Sequence, residues 1–205
     1  MSAWKKSCCR WVRGSVGVPD MAVGDGLECE DYAARVQASL HALGIAQQWI
    51  EHRKLVLHRE PQSLVVAHTG LNGREFLLTP KATVAWLAMR QQASADQVTL
   101  ALVSAFRSFV RQREIVLDKL GQGLPIDTVL QSVAPPGFSE HHTGRAIDIG
   151  TSEDCALEEV FETTQAYAWL SRHAGDFGFQ MSYPRDNPFG FVFEPWHWCY
   201  HESPG

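Results

Sequence analysis

The sequence predicts an α+β fold with a mainly antiparallel sheet flanked by helices. Apolar residues recur at helical spacing over residues 30–52, 79–92 and 108–120. Between these stretches lie short apolar, β-branched runs such as QVTLALVSA and RAIDIG, bounded by turn-forming residues. Several runs sit too close together for the long crossover that parallel strands require, so antiparallel pairing is expected.

The elements follow in order. Residues 1–27 mix charge with several glycines and read as unstructured. Residues 30–52 carry Tyr32, Val36 and Leu40, then Ile45 and Trp49, at helical spacing and are interrupted by Gly44, which predicts one broken helix or two short ones. LVLHRE and SLVVAHTG read as strands with REPQ turning between them, and LNGREFLL follows its Asn-Gly turn as a third. Thr79-Pro80 opens a helix to about Gln92, because Thr caps helices and Pro is favoured at the first helical position. QVTLALVSA is a buried strand. Ser108 to about Leu120 is a helix closed by Gly121, and Pro125 to Val133 is a short one stopped by Pro135-Pro136. RAIDIG is a strand, and residues 156–175 are mostly helical. GFQMSYP and GFVFE read as strands, and PWHWCYH closes the chain.

At 205 residues the chain fits one domain with a substantial core, alone or with an extension. With 45% hydrophobic and 20% charged residues it has the composition of a soluble globular protein. A net charge of -5 and the lack of any dense Lys/Arg run argue against a nucleic-acid partner. No stretch approaches the ~20 apolar residues needed to span a bilayer. The start, MSAWKKSCCRWVRGSVGVPD, has no continuous apolar run of the signal-peptide kind. Met21 would also serve as a start, and MAVGDGLECEDYAARV carries no export signal. The expected location is the cytoplasm, or the periplasm if the true N-terminus differs. The five cysteines are odd in number and match no zinc ribbon or CxxC motif, so free thiols in a reducing compartment are expected.

Three clusters carry chemistry: Ser104 to Gln112, Pro136 to Ile149, and Glu194 to Trp198. In the middle cluster Gly144, Ala146, Asp148 and Gly150 share one strand face and Ile147 and Ile149 the other. A carboxylate among near-bare residues leaves space for a metal and a substrate; the competing reading is a solvated surface Asp. In the last cluster Pro195 excludes a mid-helix position for Glu194 and His197, so the segment is extended or turned. His141, Asp148 and His197 make up a two-histidine, one-carboxylate set, which in catalytic zinc sites leaves the fourth position open for water. Glu194 is then a second carboxylate able to take a proton. His142 and His201 are rival ligands of lower rank. Arg107 stands where a strand end runs into a helix, and its guanidinium offers two parallel donors to a carboxylate. Gln112 adds a neutral contact, while Arg111 and Arg113 read as a solvated basic face.

S-A-F-R-S-x-x-x-Q, S-E-H-H-T-G-R-A-I-D-I and E-P-W-H resemble the VanY-type D-alanyl-D-alanine carboxypeptidases, zinc peptidases that share a fold with the hedgehog signalling domain. The resemblance covers about residues 79–201. It implies that His141, Asp148 and His197 bind Zn2+, that Glu194 is the base, and that Arg107, Gln112 and Ser139 line the substrate site. The implied substrate is a peptidoglycan stem peptide or fragment, cut before a C-terminal D-amino acid; inside the cell this means precursor or recycled peptides. Two positions depart from the family pattern: Ala105 replaces the usual Gly, and His142 stands where Gln is common. Residues 79–205 would form the catalytic domain, and residues 28–78 an extension packed on it. An endopeptidase of the same fold and a non-catalytic zinc module are the alternatives. Arg107 speaks against the first and Glu194 against the second.

Overall fold

The structure, a computed structural model, describes residues 25–202. Helix α1 (Asp25–Ala42) buries Val36 and Leu40, one turn apart on a single face. Its first turn takes in residues 25–27, which the sequence assigns to the unstructured segment; residues 1–24 of that segment lie outside the described residues. Gly44 then turns the chain at φ 71°, a left-handed conformation that strains other residues, and α2 (Gln47–His52) follows. The break at Gly44 is thus as the sequence predicts.

Strands β1 (Val65–Thr69) and β2 (Glu75–Leu78) form an antiparallel hairpin around Asn72-Gly73. Helix α3 (Pro80–Ala95) starts at the predicted proline and runs three residues beyond Gln92, but Thr79 before it caps with no side-chain hydrogen bond. It buries Ala82, Trp86, Met89 and Ala93 along one stripe. After β3 (Ala101–Ser104), Ser108 caps α4 (Phe109–Gly121) by accepting a hydrogen bond from the Arg111 N–H at 3.1 Å. Helix α5 (Ile126–Val129) is a single turn, shorter than expected. Strand β4 (Ala146–Gly150) precedes α6 (Gln165–His173), which 3-10 turns flank on both sides. Strands β5 (Phe179–Met181) and β6 (His197–Tyr200) complete a four-stranded sheet of order β3-β4-β6-β5, antiparallel throughout.

Two expected strands are absent and one strand was not expected. LVLHRE is extended but has no ladder, because its polar groups bond to the helical side of the molecule. The His58 N–H donates to the Gly137 carbonyl at 2.8 Å, and Glu60 accepts from the Phe109 N–H at 2.7 Å. GFVFE bonds to two separate segments, with Val192 N–H on Gln131 and Glu194 N–H on Tyr183, so it joins no sheet. The strand not expected is β6, in the HWCY of the closing segment.

Two apolar clusters hold the fold. One packs α3 and α6 against the sheet through Trp86, Met89, Ile147, Ile149, Trp169 and Trp198. The other joins Val36, Leu40, Leu43, Ile45 and Ile50 of the N-terminal helices to Phe109, Val116, Val129 and Leu130. Ile147 and Ile149 point into the first cluster, so strand alternation turns Asp148 to the opposite face.

Candidate metal centre and cleft

The sheet register builds the site. Asp148 on β4 lies opposite His197 on β6 and opposite Ser104 on β3. His141 sits in the 3-10 turn Glu140–Thr143, which ends at Gly144 with φ 63° and feeds directly into β4. A side chain at Gly144 would strike Leu64, its Cβ 2.8 Å from Cδ2. The folded chain brings His141 Nε2 within 3.2 Å of Asp148 Oδ2 and His197 Nδ1 within 3.0 Å of Asp148 Oδ1. Ligand atoms of the three residues lie within 4.8 Å of one another, and all three side chains are buried.

The outer nitrogen of each imidazole is also held. His141 Nδ1 meets the Ala105 carbonyl at 2.7 Å, and His197 Nε2 meets Glu140 Oε2 at 2.9 Å. With the proton kept on the outer nitrogen, the inner lone pair of each ring faces Asp148. This donor set fits a zinc ion. Without a metal the group is strongly polarised. Burial opposes ionisation of Asp148, but the adjacent His141 and His197 hold its carboxyl far below the usual range. Burial likewise works against a charged His197, yet its hydrogen bonds to Asp148 and Glu140 push it up to about 10.

Glu194 is buried beside this group, and its carbonyl accepts the His197 N–H at 3.1 Å. Burial pushes its carboxyl up to about 7; Asp148 and Glu140 add to the rise, while His197 and Arg107 oppose it. Arg107, at the β3–α4 junction, donates to Gln112 Oε1 at 3.0 Å and to Ser104 Oγ at 3.2 Å. Its Nη2 lies 3.8 Å from Asp148 Oδ2. Gln112 is fully buried, and its amide nitrogen donates to the Ala134 carbonyl at 2.6 Å. Both ends of that amide are therefore engaged, so Gln112 fixes the guanidinium as well as facing the cleft. Ser139 is buried and faces the same cleft, a cavity of about 330 Å³ that Tyr183, Phe191, Val192 and Trp196 also line.

The structure separates the rival histidines from this group. His142 Nδ1 donates to the Arg107 carbonyl at 2.7 Å while Nε2 accepts the Gly137 N–H at 3.0 Å, so neither nitrogen is left for a metal. Burial brings its pKa down to about 4. His201 is exposed and lines a separate groove with Tyr200 and Phe177. Arg111 pairs with Glu114 at 3.0 Å on the exposed side of α4, as a solvated face should. Glu140 and Tyr183, whose ring lies 4.8 Å from His197, were not picked out from the sequence. The only signal for Glu140 was a carboxylate next to a candidate ligand, and Tyr183 had none. Among the described residues Cys155 and Cys199 are free thiols.

The α+β fold, whose antiparallel sheet sets two histidines and an aspartate beside a buried glutamate and an arginine, is that of the hedgehog-like peptidases. The chain belongs to the VanY family, D-alanyl-D-alanine carboxypeptidase, whose profile matches residues 75–203. It is 31% identical over 148 residues to the putative carboxypeptidase YodJ of Bacillus subtilis, covering 69% of this chain and 54% of that protein. The chain thus spans about half the length of that curated relative. Among solved structures it resembles the LdcB LD-carboxypeptidase, at 30% identity and TM-score 0.61 over 70% of each chain. It also resembles a mutant of the vancomycin-resistance D,D-pentapeptidase VanY in complex with Zn(II), at 27% identity and TM-score 0.52, covering 72% of this chain and 88% of that one. No helix among the described residues is long and apolar enough to cross a membrane.

Proposed function

We propose that this chain is a carboxypeptidase that hydrolyses the bond before a C-terminal D-amino acid, D-alanine, in peptidoglycan stem peptides or their fragments. One observation carries the reading: His141, Asp148 and His197 converge within 4.8 Å in the cleft that also holds Glu194 and Arg107. His141, Asp148 and His197 would hold Zn2+, which when bound supplies a Lewis acid for the scissile carbonyl and lowers the pKa of water. Glu194 takes a proton from the attacking water and returns it to the leaving amine. Its buried setting suits a base that must also act as an acid near neutral pH. Arg107 receives the substrate's terminal carboxylate, and Gln112 keeps the fork of donors in place. Ser139 contacts the peptide from the floor of the cleft.

The 3.8 Å approach of Arg107 to Asp148 favours a second role for the same guanidinium, as donor to the scissile carbonyl oxygen. Two measurements decide. A mass-spectrometric digest of tetrapeptide and pentapeptide stems shows whether the bond cut is of the L,D or D,D kind. A pentapeptide acid compared with its C-terminal amide shows what Arg107 reads. Wild type should prefer the acid, and Arg107→Ala should lose that preference, slowing on the acid alone by the roughly 1.5–3 kcal/mol of a charged hydrogen bond. Equal slowing on both substrates assigns Arg107 to the carbonyl. Wild-type cleavage of acid and amide at equal rates would replace the carboxypeptidase with an endopeptidase.

A further inference from the structure

His197 is gripped from two sides. Its Nδ1 lies 3.0 Å from Asp148 Oδ1, on the side where His141 converges, and its Nε2 lies 2.9 Å from Glu140 Oε2, on the far side. The same Glu140 oxygen accepts the Ser182 hydroxyl at 2.5 Å, so the carboxylate is itself held in place. Tyr183, the next residue, lays its ring against the imidazole with centroids 4.8 Å apart and planes tilted by 35°. Glu140 precedes His141 in the turn, so one short segment supplies a metal-facing imidazole and the support for the other.

We infer that Glu140 is a positioning residue of the metal centre: it accepts the Nε2 proton of His197, fixes the tautomer that presents Nδ1 to the metal, and is anchored by Ser182. The inference rests on the assignment of His141, Asp148 and His197 as ligands, and it gives a role to a carboxylate that stands inside the quoted motif without one and does not line the cleft. The chemistry is general. An imidazole can offer one nitrogen to a cation only while the other carries its proton, and a carboxylate on that proton selects the tautomer, fixes the ring's rotation and raises the ligand's basicity. For His141 the Ala105 carbonyl does this at 2.7 Å. Of the two ligand histidines, only His197 has a carboxylate for the purpose.

The test is zinc affinity, measured by chelator competition on the full chain, for wild type, Glu140→Ala, Glu140→Gln and Ser182→Ala. Circular dichroism of the zinc-free proteins reports whether each is folded. Glu140→Ala should bind zinc about 10–100-fold more weakly, the usual cost of losing such a partner. Glu140→Gln still offers an oxygen to the Nε2 proton and should recover part of the loss, and Ser182→Ala should weaken binding less than Glu140→Ala. Zinc affinity of Glu140→Ala within twofold of wild type overturns the inference, as does a Glu140→Gln variant no better than Ala. A spectroscopic readout covers the case in which Glu140→Ala does not fold. In ¹⁵N-labelled, zinc-loaded protein the His197 Nε2 proton should be a downfield, exchange-protected signal in wild type and in Glu140→Gln. An Nε2 proton that exchanges freely in wild type would sink the proposal. If His197→Ala, tested alongside, binds zinc as wild type does, the ligand assignment fails instead, so the two failures are distinguishable.

Discussion

At the scale of single residues, each carboxylate in the cleft takes its role from its surroundings. Asp148 is ringed by imidazoles and stays ionised, whereas Glu194 is buried with less to compensate it and is pushed up to about 7. Glu194→Gln should therefore keep its zinc, by metal analysis, and lose ~10²–10⁴-fold in turnover, the range for a missing general base. Metal content that falls in step with activity would make Glu194 a ligand. His142 shows how a histidine in the motif can be structural. The folded state holds it near 4 against about 6.5 unfolded, so the unfolded chain takes up the proton first as pH falls. Its contribution is intact above about pH 6.5 and is lost progressively below, by about 2 kcal/mol at pH 5. In urea unfolding of zinc-free protein, the stability gap between wild type and His142→Asn should narrow by about that amount from pH 7.5 to pH 5. A gap that does not change with pH contradicts this reading. The candidate ligands stood out in the sequence because His141 and Asp148 fall in one short motif and His197 in a second, Pro-rigidified one, although 49 residues separate Asp148 from His197. Glu140 was not, since an acidic residue beside a histidine is ordinary until the fold shows what it touches.

At the scale of elements, alternation along β4 and the extent of α4 from Ser108 to Gly121 could be read from the chain because both are local. Assigning LVLHRE and GFVFE as strands was wrong for a non-local reason: an apolar extended run becomes a strand only where a neighbouring backbone offers a ladder. The second run has another use. Phe191 and Val192 form a wall of the cleft, and Arg53, just after α2, clasps that wall from behind. Its guanidinium lies 4.1 Å from the Trp49 ring centroid and 4.4 Å from that of Phe191. It donates to the Phe189 carbonyl and, at 2.8 Å, to that of Leu130. Gly190, at φ 67°, leaves room for it: a Cβ there would come within 3.1 Å of Arg53 Nε. Arg53→Ala should cost about 2–3 kcal/mol of stability, as loss of charged hydrogen bonds to carbonyls does. It should also raise KM several-fold while kcat and zinc content stay near wild type. Arg53→Lys should rescue poorly, because lysine lacks the planar fork that spans two acceptors. An unchanged KM in Arg53→Ala would mean that the clasp serves folding alone.

At the scale of the whole molecule, the family profile begins at residue 75, whereas the second apolar cluster begins with α1. Motif resemblance alone presents the N-terminal third as an extension, because nothing in its sequence carries chemistry. In the structure, Phe109 and Val116 of α4, which follows Arg107, and Val129 and Leu130 of the α5 turn share a core with Val36, Leu40, Leu43, Ile45 and Ile50. The approach is close: a Cβ at Gly137, two residues before Ser139, would lie 2.7 Å from Val36 Cγ2. Burying five such side chains at roughly 1.5–3 kcal/mol each is worth on the order of 10 kcal/mol. That is comparable to the 5–15 kcal/mol of net stability typical of a whole domain. A fragment of residues 55–205 keeps every candidate site residue but loses α1, α2 and Arg53. It should therefore unfold without a cooperative transition, expose apolar surface to a hydrophobic dye, and fail to bind zinc at wild-type affinity. Cooperative unfolding of residues 55–205 with a midpoint near that of the full chain would show that the sheet and α4 hold the site unaided, and that the helices before it are an appendage.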